Sequence, residues 1–227
     1  MKFAHAALAA LSLAGIMNSA SAVVVTSTPM TFTKDTPEIT KIELGDTYTG
    51  NVLVDFEFSF TGTLANNAFT ALWFGHKDGP SIGLKANCGT TPKPCSTLDI
   101  FARTSGTSGA WVPGSALPAY QASNPVTYTI VGYLQKTNDG KFYDRFDAWL
   151  NPATMDLTAL AKLPHASFTG MTNLASFDTV GIRAVNLVGL NTTTIDNVNI
   201  AQVPEPGSIA LIGLALACMG AARRKRT

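Results

Sequence analysis

Asn51-Val-Leu-Val-Asp-Phe-Glu-Phe-Ser-Phe-Thr61 alternates without a break, with Val52, Val54, Phe56, Phe58 and Phe60 on one side and Asp55, Glu57 and Ser59 on the other. Side chains along a strand point to its two faces in turn, so the pattern predicts a half-buried β-strand. Five large apolar groups on one face place that strand at the centre of a core. Further along, residues 127–134 put Tyr128, Ile130 and Leu134 on one side. The tight-turn signal Thr137-Asn-Asp-Gly140 follows, and residues 141–150 are expected to return as the partner strand of a hairpin. Additional strands are expected at 23–33, 36–44, 68–76, 81–86, 98–104, 176–185 and 193–201, and only 153–162 reads as a short helix. Many short strands separated by Gly, Pro and Asn turns predict an all-β, antiparallel β-sandwich.

The two ends of the chain have a different grammar. Lys2 opens a short cationic region, residues 6–17 are largely apolar, and Ala20-Ser21-Ala22 offers the small residues that signal peptidase accepts. Cleavage is expected after Ala22, which leaves 23–202 as one exported domain. The 227-residue chain has 16 Lys and Arg against 15 Asp and Glu. Setting aside Lys2, the four cations at 223–226 and Glu205, the domain keeps 11 against 14, a net charge of about −3. With no cationic cluster outside the tail, nucleic acid is excluded as a partner.

Cysteine usage fits export. Cys218 lies in the apolar tail, so Cys88 and Cys95 are the pair available to the domain, and a bridge between them is expected in an oxidising compartment. Closing so small a loop contributes about 2–3 kcal/mol in the chain-entropy view. The alternative, half of a metal site, lacks a neighbouring histidine or second cysteine pair.

At the C-terminus, Val203-Pro204-Glu205-Pro206 precedes an apolar run at 207–222 and the cations Arg223-Arg-Lys-Arg226. A bilayer core takes about 20 apolar residues, with about 17 as a lower limit, so this is a short membrane span. The basic cluster would stay cytoplasmic and the domain outside. Pro204 and Pro206 stop any helix from running back into the domain and hold Glu205 extended. The three-part ending resembles the PEP-CTERM sorting signal of envelope proteins in biofilm-forming Gram-negative bacteria. That resemblance implies reading of Val203 to Pro206 by an exosortase, a membrane-embedded cysteine transpeptidase, after transient anchoring in the inner membrane. A simple uncleaved anchor is the plainer alternative, but it gives the Pro-Glu-Pro triplet no role.

The strand phrases from Gly45 to Gln202 add a second resemblance, to the concanavalin-like (LamG-type) jelly roll. It rests on strand order, with Asn151-Pro152 after the hairpin, Phe177-Asp178 late in the chain and Asp196-Asn197 in the closing strand. Glucanases of that type carry Glu-x-Asp-x-x-Glu on one strand, a spacing suited to retaining hydrolysis. Here the domain's glutamates are Glu38, Glu43 and Glu57, with no carboxylate partner at that spacing. Asp144 and Asp147, three apart on the expected strand, point to opposite faces. His76 and His165 are isolated, and no Gly-x-Ser-x-Gly elbow is present. No catalytic residue is assigned.

Binding candidates remain. On the expected hairpin strand Tyr143, Arg145, Asp147 and Trp149 share a face opposite Phe142, Phe146 and Leu150. Such a row could stack a pyranose on Trp149 or Tyr143 while Arg145 and Asp147 bind hydroxyls. The plainer alternative packs the Trp in the second sheet and pairs Arg145 and Asp147 across strands, each such pair being worth about 0.2–1 kcal/mol. Trp111 and Tyr120 sit in a long Gly/Ser/Pro-rich loop at 104–124, a setting for recognition or for a cap on the core. Asp78-Gly79, Asn138-Asp139-Gly140 and Asp196-Asn197 are candidate oxygen ligands for a structural calcium, and each is equally ordinary turn chemistry. No metal-ligand motif and no cofactor are assigned. The combined expectation is an exported, non-catalytic structural or adhesive protein of the cell surface or matrix, associated by resemblance with exopolysaccharide. The alternatives are a carbohydrate-binding module and an unrecognised glycan hydrolase.

Overall fold

A computed structural model describes residues 22–26, 28–33, 36–61, 67–86, 98–105, 110–112, 126–160, 164–187 and 192–203. Thirteen strands fill most of these: β1 (Ala22–Thr26), β2 (Met30–Phe32), β3 (Thr36–Tyr48), β4 (Asn51–Thr61), β5 (Phe69–Phe74), β6 (Ser81–Ala86), β7 (Leu98–Arg103), β8 (Ala110–Val112), β9 (Val126–Gln135), β10 (Arg145–Leu150), β11 (Ala166–Thr169), β12 (Phe177–Val185) and β13 (Thr192–Val203). The one helix among them, α1 (Leu157–Leu160), is a single turn. One sheet runs β1-β13-β4-β9-β10-β11, with β2 also on β13, and the other runs β3-β12-β5-β6-β7-β8. All pairings are antiparallel.

β4 lies inside the first sheet, between β13 and β9, and buries every second residue along its length. The five apolar groups of the opening stretch are at most 2% exposed. Phe56 faces Ile130 and Phe58 faces Tyr128 on β9, so the alternation of both strands feeds the same core. The second sheet closes it with Leu72, Phe74, Ile82, Leu84, Ile100, Val180 and Ile182. Phe177 is the aromatic hub. It stacks on Tyr48 at 5.4 Å, meets Phe74 edge-on at 5.3 Å and touches Tyr143 at 5.8 Å, while Phe74 also meets Phe146 at 5.7 Å. Offset and edge-on pairs of this kind add to simple burial. The Thr70 hydroxyl reaches that of Thr193 at 3.2 Å, a buried polar link between the two sheets.

Gly132 fills the gap that alternation leaves on β9 between Ile130 and Leu134. A Cβ there would come within 2.8 Å of Ile82 and Phe146 and 2.9 Å of Val54. In an open strand Gly→Ala gains about 0.5–1 kcal/mol, whereas overfilling a packed core costs about 1–3 kcal/mol. Gly132→Ala is therefore expected to destabilise by about 1–3 kcal/mol in urea unfolding. A gain in stability would show that the core is looser here than the contacts imply.

The hairpin expected at 127–150 forms, with a correction to its second arm. β9 ends at Gln135 and the return strand begins at Arg145, not at 141. The connection is held by Asp144, 2% exposed, whose carboxylate accepts hydrogen bonds from the Thr137 amide (2.7 Å), the Thr137 hydroxyl (2.9 Å) and the Asn138 amide (2.9 Å). Gly140 takes φ +69° at the turn. Tyr143 is tied to neighbouring backbone through Leu174 O and the Thr172 amide instead of joining the ladder.

The strand expected at 23–33 is split into β1 and β2, and β8 and β11 were not anticipated. Both are edge strands of three and four residues, too short to show a period. In β13 the buried positions switch phase between Ile195 and Val198, because a bulge at Asp196–Asn199, with Asn197 at φ +51°, inserts one residue.

No helix among the described residues is long and apolar enough to cross a membrane. The expected span at 207–222, the Pro204-Glu205-Pro206 triplet, Ala20 of the signal-peptidase site, and Cys88 and Cys95 all lie outside the described residues. Ala22 opens β1.

Candidate functional site

The expected sugar platform on β10 is taken apart by the fold. Register places Arg145 against Gln135, Asp147 against Tyr133 and Trp149 against Val131 on β9, all on the outer face of the first sheet. Tyr143 precedes the strand and turns inward instead. It is fully buried, and its hydroxyl donates to Gly50 O at 2.9 Å and lies 3.2 Å from Tyr48 O. Burial raises its pKa above the usual phenol value. Trp149 is 2% exposed and forms a small apolar cluster with Val131, Leu160, Leu53 and Tyr133. α1 folds back across the outer face and lays Leu160 against the indole, so Trp149 offers no open face for a pyranose. The exposed aromatic row read from the sequence is corrected on both counts.

Asp147 is equally occupied. Its carboxylate accepts from Gln135 Nε2 at 2.8 Å, from Arg145 Nε at 3.0 Å to each oxygen, and from the Ser167 hydroxyl on β11. Three side chains, one each from β9, β10 and β11, thus converge on one carboxylate; Arg145 and Asp147 pair as the plainer alternative has it, but along β10, and the bonds that cross strands come from Gln135 and Ser167. On the same outer face Asp55 faces Val131, accepts from Asn199 Nδ2 at 2.9 Å, and has its pKa raised chiefly by burial.

Trp111 lies on β8 opposite Phe101, while Tyr120 is outside the described residues. Of the calcium candidates, Asp78 faces Arg183, Asp139 accepts from the Lys141 amide, and Asp196 accepts from the Asn197 amide. Among the described residues no three His, Cys, Asp or Glu side chains gather as a metal cluster.

The second sheet's outer face holds a group that the sequence did not single out. Two rows cross it: Gly181, Trp73, Ser81 and Arg103, then Arg183, Ala71, Gly83 and Phe101. Arg103 and Arg183 converge on Phe69, their guanidinium carbons 6.0 and 5.5 Å from the ring centroid, and Arg103 also lies 5.4 Å from Phe101. Arg103 Nε donates to the Ser81 hydroxyl at 2.6 Å. Burial and then the charge of Arg183 lower the Arg103 pKa. Among the described residues Arg183 has one distant counter-ion, Asp78 at 3.7 Å. Among the described residues, the Trp73 Nε1 and Arg183 Nε hydrogens are buried without an acceptor. Alternation alone marks Arg103 and Arg183 as outward residues. Only the strand order β12-β5-β6-β7 brings residues eighty positions apart onto one ring.

At the end of the domain Gln202 on β13 reaches across to the β3–β4 turn. Its side-chain carbonyl accepts the amides of Thr49 at 3.0 Å and Gly50 at 3.2 Å. Val203 still pairs with Asn51, so the ladder runs to the residue before Pro204. A hollow of about 140 Å³ beside it is lined by Asp46, Thr47, Tyr48 and Gln202, well under the roughly 300 Å³ of ordinary small-molecule sites.

Residues 202–226 match the PEP-CTERM protein-sorting motif. This is the signal recognised by exosortase, and it marks a protein exported to the cell envelope or surface. No curated protein matches the chain. Among solved structures, the binding domain of botulinum neurotoxin serotype D/C VPI 5993 is similar at 9% identity and a TM-score of 0.44, over 86% of this chain and 52% of its own. A glycosyl hydrolase family protein from Mycobacterium fortuitum is similar at 10% identity and a TM-score of 0.39, over 70% of this chain and 67% of its own. The chain spans about half the length of the neurotoxin domain it matches.

Proposed function

We propose that the domain at 23–202 is a non-catalytic structural or adhesive component of the extracellular matrix of a Gram-negative bacterium, working in association with exopolysaccharide and biofilm. Signal peptidase would free it after Ala22. Transient anchoring in the inner membrane would then present Val203 to Pro206 to exosortase. The observation that carries this reading is the sorting motif, which begins within β13 of the sandwich. The state of the carboxylates supports the non-catalytic part: Asp144 is committed to closing a loop and Asp147 to joining three strands.

Fractionation of cells expressing the full-length chain tests it. The protein is expected in the surface or matrix fraction with its C-terminal segment removed, and enzymatic digestion of the polysaccharide should release it. Replacing Pro204, Glu205 and Pro206 by alanine should retain the intact chain in the inner membrane. Recovery from the cytosol, or release of reducing sugar that is lost with a carboxylate substitution, would overturn the proposal.

A further inference from the structure

We propose that Arg103, Arg183 and Trp73 form a binding site for the carboxylates of an acidic, uronate-containing polysaccharide on the outer face of the second sheet. The inference deepens the exopolysaccharide reading and rests on it. Its physical basis is an imbalance of donors over acceptors. Buried polar groups are almost always hydrogen-bonded, and each exception calls for an explanation. Here two exceptions are neighbours. The Trp73 indole lies across Gly181, with its Cε2 atom 2.5 Å from where a Cβ would stand, and Nε1 is bonded to that carbon. Arg183 is two residues further along β12 on the same face, about 7 Å away at strand spacing. Both orphaned atoms are N–H donors. A cationic or donor-rich ligand leaves them unsatisfied, whereas an oxygen acceptor does not.

Charge points the same way. Two guanidinium groups share the Phe69 ring, burial and then the charge of Arg183 lower the Arg103 pKa, and the ion pair on offer from Asp78 is long and exposed. Like charges held together on a half-buried surface cost stability unless an anion joins them. A planar carboxylate suits the guanidinium fork, which binds it through two parallel hydrogen bonds. Phe69 and Phe101, which meet edge-on beneath Arg103, hold that fork in position. The Arg183 side chain is 30% exposed, so an arriving anion can reach it from solvent. A site laid across strand faces suits a repeating polymer, each of whose acidic sugars presents the same group.

Equilibrium binding to the full-length chain in detergent tests the site, with trigalacturonate as probe, maltotriose as the neutral sugar and a polyglutamate peptide as the non-sugar anion. Trigalacturonate is expected to bind, and to bind more weakly as salt rises. Arg183→Gln should weaken it at least tenfold and Arg183→Lys by less. Trp73→Phe removes the N–H together with the outer indole ring over Gly181, so its unfolding midpoint is measured alongside and binding, expected to weaken several-fold, is compared per folded molecule. Equal binding by Arg183→Gln, or polyglutamate binding as tightly as trigalacturonate, would overturn the assignment. Binding of maltotriose alone would overturn the acidic site and leave the exopolysaccharide reading intact. If no probe binds, this site is rejected, and release of the protein by polysaccharide digestion decides the broader reading separately.

Discussion

Truncating Trp149 to alanine is expected to cost about 3–5 kcal/mol of folding stability, the range for removing a large buried aromatic. The indole is 2% exposed, enclosed by Val131, Leu53, Tyr133 and Leu160. Its removal opens a cavity on the outer face and takes away the surface on which α1 rests. Leu160→Ala should cost less, about 2–3 kcal/mol, and the two losses should not add, because each removes the other's partner. Urea unfolding of both single variants and the double variant measures this coupling. A Trp149→Ala loss below about 1 kcal/mol would show that α1 does not cover the ring. The sugar platform on β10 would then be open again.

The second large effect is at Asp144. Hydrogen bonds to a charged group contribute about 1.5–3 kcal/mol each, and a buried donor left without its acceptor adds its desolvation cost. Asp144→Ala orphans the amides of Thr137 and Asn138 together with the Thr137 hydroxyl. The three bonds share one carboxylate and do not sum, so a loss of about 3–5 kcal/mol is expected. Asp144→Asn keeps one acceptor oxygen and should recover part of it. Because the loop also delivers Tyr143 to the core, the Asp144→Ala variant should expose the Tyr143 phenol to titration nearer its ordinary range. Loss of stability without that spectroscopic change would separate the loop from the core contact.

The fold was legible wherever period two was long enough to read. The bounds of β4 and β6 match the stretches expected for them, and β5, β7, β9, β12 and β13 lie within two residues at each end. The misses have local causes. Tyr143 continues the alternation of 145–149 on paper, yet the Asp144 carboxylate draws the chain into a loop before it can join the ladder, so counting placed it on the wrong face. Alternation puts Trp149 on the face opposite Phe146 and Leu150, as found, but neither the exposed platform nor packing in the second sheet is what forms, because no period reveals that a single helical turn will cover the ring. The arginine pair was hidden for a third reason. Which strands become neighbours depends on crossovers between sheets, and Arg103 and Arg183 meet only because β12 returns beside β5.

The Gln202 clamp has a mechanical corollary. β13 lies between β4 on one side and β1 and β2 on the other, and it is the strand from which the sorting segment continues. Tension directed along the β13 axis acts at right angles to the rungs on both flanks, and under that pull the rungs bear load together in shear. Gln202 fastens the loaded end to the β3–β4 turn, at the place where peeling would begin. The rung that such a pull meets first is the Val203–Asn51 pair, and the Gln202 clamp backs it.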